Sequence, residues 1–202
     1  KVDHGKDNYS EPNLYPWMDP HYITMLTTDH DLTKRPRLES ITLQMMLTYL
    51  DSGRTLVRDY IRGFKLDDDE CINAWDFINW GPKAGASQPH PHAQRGGLYA
   101  RMKCAMRHEA EVLALHGKGR DVFEDHFNLM RTQKLTYQDK TETLVVYEDG
   151  NVMVYAPFAP QFTHQVDIVT KSKDGRVVTN YVNLDDSTVK SVAYCLETVL
   201  KF

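Results

Sequence analysis

The residues with the clearest chemical content are His90, His92 and Gln94, in the run Gly85-Ala86-Ser87-Gln88-Pro89-His90-Pro91-His92-Ala93-Gln94. In an extended segment, side chains at i, i+2 and i+4 share one face. The two imidazoles and the amide therefore point the same way. Directly upstream, the small-residue turn offers the backbone N–H groups of Gly85, Ala86 and Ser87, and a hydroxyl. Such a set suits work on a phosphate. Imidazole is a competent nucleophile near neutral pH, and a fixed amide stabilises charge developing on a phosphoryl oxygen. Glycine permits close backbone approach to a ligand, and clustered N–H groups form an anion nest. A proline-rich turn with two incidental histidines is the plainer alternative. The upstream Gly and Ser and the downstream Gln favour the phosphate chemistry.

These residues must be held by a scaffold, and the hydrophobic pattern predicts one. The opening segment through Pro20, with Pro12 and Pro16, reads as extended or irregular. A strand is expected over 22–28, where Thr, Ile and Leu favour extended backbone. Leu43, Met46, Leu47 and Leu50 recur at helical spacing, so a helix is expected from Leu38 to about Arg62, with Gly53 as a potential break. Residues 71–79 read as a strand with Trp75 and Phe77 on one face, and the histidine strand follows, ending near Tyr99. Met102, Ala105, Met106, Val112 and Leu113 suggest a further helix. Residues 144–148 and 152–155 flank Asp149-Gly150, a pair that favours the tight turn of a hairpin. Residues 164–170 and 177–182 read as strands. Asp185-Asp186-Ser187 can cap a closing helix that carries Val189, Val192, Ala193, Leu196, Val199 and Leu200. Strand, helix, strand, strand thus recurs approximately twice, which suits two half-domains of an α+β sandwich.

Composition narrows the class. The chain has 202 residues, 41% hydrophobic and 26% charged, as expected of a globular protein with a real core. Its net charge of -4 argues against a nucleic-acid partner or an anionic membrane surface. No apolar run approaches the ~18 residues a membrane span needs. Cys71, Cys104 and Cys195 are odd in number and widely spaced, which favours reduced thiols, small buried hydrophobes and a cytoplasmic setting over a disulfide scaffold. Asp67-Asp68-Asp69-Glu70 lacks the spacing and glycine of a calcium loop and reads as solvated. His164 reads as a strand-face histidine.

The stretch from Asn79-Trp80-Gly81-Pro82 through His90-Pro91-His92-Ala93-Gln94 resembles the active-site signature of the galactose-1-phosphate uridylyltransferase family, the transferase branch of the histidine-triad superfamily. Tyr22 to Asp31, with Asp29-His30, resembles the family's strand ending in an acidic residue and His. Val154-Tyr155-Ala156-Pro157-Phe158-Ala159-Pro160 resembles the opening of its second half-domain. The resemblance implies an α+β fold of histidine-triad-like half-domains, antiparallel sheets with packed helices, as an incomplete duplicated pair. Residues 1–100 would be the first half-domain, and residues 101–202 a linker helix and the start of the second. Family members are longer at both ends, so a piece of a longer protein is expected.

The resemblance also implies roles. His92 would be the nucleophile that takes a nucleotide from a sugar nucleotide as a covalent nucleotidyl-histidine, and Gln94 would hold a phosphoryl oxygen. Gln94 stands where histidine-triad hydrolases carry a third histidine; glutamine cannot protonate a leaving group or activate water. The intermediate therefore waits for an acceptor. Asn79, Gly85, Ala86, Ser87 and Gln88 would bind nucleotide and phosphates. His30 and His90 match positions that hold a structural zinc, a site normally needing four ligands. The family's other two ligands are a Cys-x-x-Cys pair, and the chain has none. His30 is equally well a structural or capping histidine, and His90 is a candidate for steadying the turn. Glu109 and Glu111 lie near a second-metal carboxylate of some members, although surface helix glutamates fit better. Partners would be sugar-nucleotide and sugar-phosphate substrates, in a homodimer, with UDP-glucose and galactose-1-phosphate foremost.

Two alternatives stand beside this. Gly-Ala-Ser-Gln-Pro-His also resembles diadenosine-polyphosphate phosphorylases, so an adenylyl-type phosphorylase or adenylyltransferase is the sibling reading; Pro91 tips the choice toward uridylyl transfer. A non-catalytic histidine-triad-like subunit of a larger assembly is favoured by the missing Cys pair and disfavoured by the presence of His92 and Gln94.

Overall fold

The computed structural model describes residues 2–3, 8–16, 20–27, 41–64, 73–79, 83, 91–98, 114–115, 117–171 and 183–201. The chain divides into two compact units. The first comprises residues 1–102, 180–184 and 196–202, and the second residues 103–179 and 185–195.

The first unit is built on an antiparallel sheet of β1 (Val2–Asp3), β2 (Tyr9–Pro12), β3 (His21–Met25), β4 (Asn73–Ile78) and β5 (His92–Leu98), in the order β1-β2-β3-β5-β4. The histidine strand is therefore interior, paired to β3 on one side and β4 on the other. Two strands lie in the opening segment, expected to be extended or irregular, and Pro12 closes the second of them. Helix α1 (Leu43–Phe64) opens at Thr42, whose Oγ1 accepts from Met45 N at 3.3 Å. It runs through Gly53 without a break, correcting the sequence expectation. A mid-helix glycine costs about 1 kcal/mol relative to alanine, and here it lies in a buried stretch with Met46, Tyr49, Ser52 and Val57. Burial of that helix face outweighs the local preference.

Side chains alternate across the sheet. One face carries Ser10, Thr24, Ala93 and Arg95, all essentially fully buried. Ser10 and Thr24 are directly paired residues and share a 2.8 Å hydroxyl hydrogen bond. Arg95 is held by Asp76 Oδ2 at 2.9 Å, Ser52 Oγ at 3.0 Å and the Tyr49 carbonyl at 2.7 Å, with its guanidinium 4.4 Å above the Tyr49 ring. Asp76 lies directly opposite Arg95 on β4, and Tyr49 and Ser52 come from α1. A buried cation thus ties the helix to the middle of the sheet.

The second unit contains α2 (Val122–Thr132), the hairpin β6 (Lys134–Tyr137)–β7 (Lys140–Thr143), the sheet β8 (Val145–Glu148), β9 (Val152–Tyr155), β10 (Asp167–Thr170), and the first part of α3 (Asp186–Leu200). Strand β9 is the middle strand of its sheet and buried at every position. Met153 and Tyr155 pack with Phe127, Met130 and Leu144, whereas Val152 and Val154 pack with Cys195. That is why it reads as an unbroken apolar run: helices cover both of its faces.

The Asp149-Gly150 hairpin forms as expected, but by a different device. Asp149 Oδ1 accepts from Asn151 N at 2.7 Å and Val152 N at 2.8 Å, and Gly150 needs no left-handed backbone. In β6–β7 the turn residues Gln138 and Asp139 do adopt positive φ, 48° and 60°. His164, expected on a strand face, instead sits exposed in a turn at φ 62°, and β10 begins only at Asp167. The closing helix is capped as expected, with Asp185 Oδ1 accepting from Thr188 N at 2.8 Å. The helix expected over 102–113 and the strand over 177–182 lie outside the described residues, as do Glu109, Glu111 and the acidic run 67–70. No helix among the described residues is long and apolar enough to cross a membrane.

Candidate active site

The second face of the first sheet carries His92 and Gln94. His92 opens β5 opposite Met25, and Gln94 follows two residues later between Ile23 and Phe77. The alternation inferred from the spacing therefore holds for this pair: both side chains leave the sheet away from Arg95. Asn79 follows Ile78, the partner of Ala93, and so lies beside His92 at the same end of the sheet. The structure thus puts two sequence-predicted residues, His92 and Gln94, on one face, with Asn79 one residue past the end of the neighbouring strand. Gly85, Ala86, Ser87, Gln88, His90 and His30 lie outside the described residues. His92 is buried and Gln94 half-buried.

A residue that sequence reasoning missed completes this face. His21, at the start of β3, is opposite Gly96. Because glycine puts no side chain there, the imidazole can lean along the strand to the diagonal neighbour. Its Nε2 is 3.1 Å from Gln94 Oε1. Asn13 Nδ2 approaches the same ring, 3.3 Å from both nitrogens, and Asn13 Oδ1 accepts from Tyr15 N at 3.0 Å. His21 is buried, and loss of solvent holds its pKa below the usual 6.5, with the Gln94 hydrogen bond opposing that effect. At neutral pH it is an uncharged imidazole. The only sequence signal was a histidine at a strand start; its partner is 73 residues away.

The zinc expectation rests on His30 and His90, neither described. Among the described residues no group of three or more His, Cys, Asp or Glu side chains converges on a metal-binding geometry. Cys195 is the one cysteine among the described residues. It is buried, and its thiol is pushed up to about 11 by desolvation and then by Asp149, consistent with a packing role.

No family model matches the chain, and no curated protein matches it significantly. Solved structures do. A uridylyltransferase superposes with a TM-score of 0.72 at 19% identity, over 96% of this chain and 60% of its own length. A GalT-like protein from Arabidopsis thaliana gives 0.65 at 17% identity, over 96% and 60%. An ADP-glucose phosphorylase from Arabidopsis thaliana, solved with bound ADP-glucose, gives 0.60 at 17%, over 96% and 59%. The chain therefore has the fold of the uridylyltransferase-like structures, α+β with antiparallel sheets and packed helices, as the signature implied. It spans about 60% of their length.

Proposed function

We propose that this chain carries the nucleophile-bearing part of a nucleotidyltransferase that moves UMP from UDP-glucose to galactose-1-phosphate. The observation that carries the reading is the placement of His92 and Gln94 on one face of the interior strand of a uridylyltransferase-type fold. In the first half-reaction a ring nitrogen of His92 attacks the α-phosphorus of the sugar nucleotide. The bond from that phosphorus to the bridging oxygen breaks, and glucose-1-phosphate leaves with the electron pair. In the second half, a phosphate oxygen of the acceptor displaces the imidazole. Gln94 supplies an amide N–H to a phosphoryl oxygen in both. In-line alignment and charge stabilisation would provide most of the rate. Asn79 and the 85–88 turn would hold the nucleotide and its phosphates.

Residues 1–100 and 101–202 would correspond to one half-domain and the beginning of its duplicate. His30 and His90 would be imidazole ligands of a structural zinc, which metal analysis of wild type against His30→Ala tests. A homodimer is expected, and light scattering on the purified chain reads it directly.

Intact mass spectrometry after incubation with UDP-glucose is the deciding experiment. A gain of one UMP in wild type and none in His92→Ala is the expected result. An AMP adduct from ADP-glucose with no UMP adduct would move the assignment to the adenylyl branch, which the ADP-glucose phosphorylase neighbour makes the second reading. No adduct from any nucleotide would overturn transfer and leave a binding or structural subunit.

A further inference from the structure

We propose that His21 is a positioning residue that fixes which end of the Gln94 amide faces the substrate, at the end of a hydrogen-bond relay that begins at the Tyr15 backbone. The inference rests on the transferase reading for its function, but not for its geometry. A glutamine amide is useful to a phosphoryl oxygen only through its NH2 end; the carbonyl end would repel it. On an isolated strand the two ends differ by a rotation of the terminal torsion, which is broad and roughly two-fold.

The relay removes that freedom, because it starts from a group that can only donate. The Tyr15 N–H donates to Asn13 Oδ1, which commits Asn13's carbonyl end and leaves Nδ2 as a donor toward His21. Gln94 Oε1 can only accept, so the ring proton of His21 must sit on Nε2, 3.1 Å away. The lone pair is then on Nδ1, so of the two ring nitrogens that Asn13 Nδ2 approaches at 3.3 Å, Nδ1 is the one able to accept. The Nε2–H tautomer is the one that serves both neighbours at once. At the end, Gln94 Oε1 is occupied, which leaves the NH2 end of the amide as the one available to a phosphoryl oxygen. The lowered pKa, caused by loss of solvent, keeps the ring in the uncharged form the scheme requires. Gly96, opposite His21, provides the space the imidazole needs.

Two measurements on the full chain test this separately from the transferase reading. Long-range 1H–15N correlation, with the His21 signals assigned by comparison with His21→Gln, should show the Nε2–H tautomer. An Nδ1–H tautomer, or a charged ring at pH 7.5, would overturn the proposal whatever the activity. Next, the rate of nucleotidyl-histidine formation is compared in wild type, His21→Phe and His21→Gln. Phenylalanine removes the donor and should slow the adduct about 100–1,000-fold, the range for losing one charge-stabilising donor. Glutamine restores an N–H near the Nε2 position and should return the rate to within about threefold of wild type. A wild-type rate in His21→Phe, or a His21→Gln as slow as His21→Phe, would overturn the positioning role. If His21→Phe fails to fold, the tautomer and the glutamine rescue decide. If wild type forms no adduct, the transferase reading falls, and the tautomer alone decides whether His21 orients Gln94.

Discussion

Replacing Arg95 with methionine is expected to destabilise the first unit by about 3–5 kcal/mol, the range for removing one partner of a buried ion pair. The guanidinium is 1% exposed and satisfies three groups from two elements: the Asp76 carboxylate on β4, and the Ser52 hydroxyl and Tyr49 carbonyl on α1. Methionine replaces much of the apolar stem but none of the donors. Each lost hydrogen bond to a charged group is worth ~1.5–3 kcal/mol, and the three do not add, since they share one side chain. Asp76, itself only 16% exposed, would keep its charge without its cation, and that residual charge is the main cost. A companion variant separates this from simple packing loss. Arg95→Met with Asp76→Leu should recover ~1–3 kcal/mol relative to Arg95→Met alone, because the uncompensated carboxylate is gone. Urea unfolding followed by tryptophan fluorescence is the assay. Trp17, Trp75 and Trp80 are the three tryptophans of the chain and all lie in the first unit, so the signal reports that unit, whereas far-UV circular dichroism reports both. A loss below about 1 kcal/mol in Arg95→Met, the size of an ordinary substitution, would refute the reasoning. So would a double variant that loses the sum of the two single ones.

Two further outcomes concern the second unit. Hydrogen bonding to Arg131, opposed by partial burial and helped by Lys171, holds the Glu148 carboxyl at about 2 rather than its usual 4.5. A depressed carboxylate contributes stability that is present above 4.5 and lost as pH falls toward 2. That contribution has a ceiling of about 3 kcal/mol from the shift, with solvent screening of this partly exposed network leaving ~1–2. Glu148→Gln should therefore lower stability at pH 7 and flatten its fall between pH 4.5 and 2, read by circular dichroism; an unchanged pH slope would contradict it. Cys195, buried with its thiol near 11, should resist a thiol reagent in native buffer and react only on unfolding. Fast native labelling at Cys195, located by peptide mapping, would show that its burial is wrong.

Local chemistry was legible where a short segment carries its own instructions. Asp185 could be read as a cap because capping is settled within four residues, and the apolar run in β9 announced a strand whose two faces both need cover. The spacing of His92 and Gln94 gave their common face before any partner strand was known. Helix α2 went unread although its signals were present: Asp121 accepts from the backbone N–H groups of Phe123 and Glu124, and Phe123, Phe127 and Met130 recur at helical spacing. Its flanks are polar and its apolar stripe is narrow. The β6–β7 turn was hidden for another reason, since Gln138 and Asp139 take positive φ without the glycine that advertises it. Arg95 and His21 could not have been assigned from sequence. An arginine in an alternating strand reads as a solvent-facing residue until a helix brings Tyr49 and Ser52 over it, and His21 acquires meaning only when the register sets it against Gly96.

The interior position of β5 has a consequence for heat. Reactive groups are commonly carried on loops, which loosen well before the body of a domain melts. Here His92 and Gln94 ride on a strand laced to neighbours along both edges and pinned from behind by a buried cation. Their spacing cannot relax while the sheet survives, so there is no intermediate temperature at which the body stays intact and this pair has already come apart. Warming would leave the two side chains aligned until the first unit is lost, and cooling that reforms the ladder would restore them together.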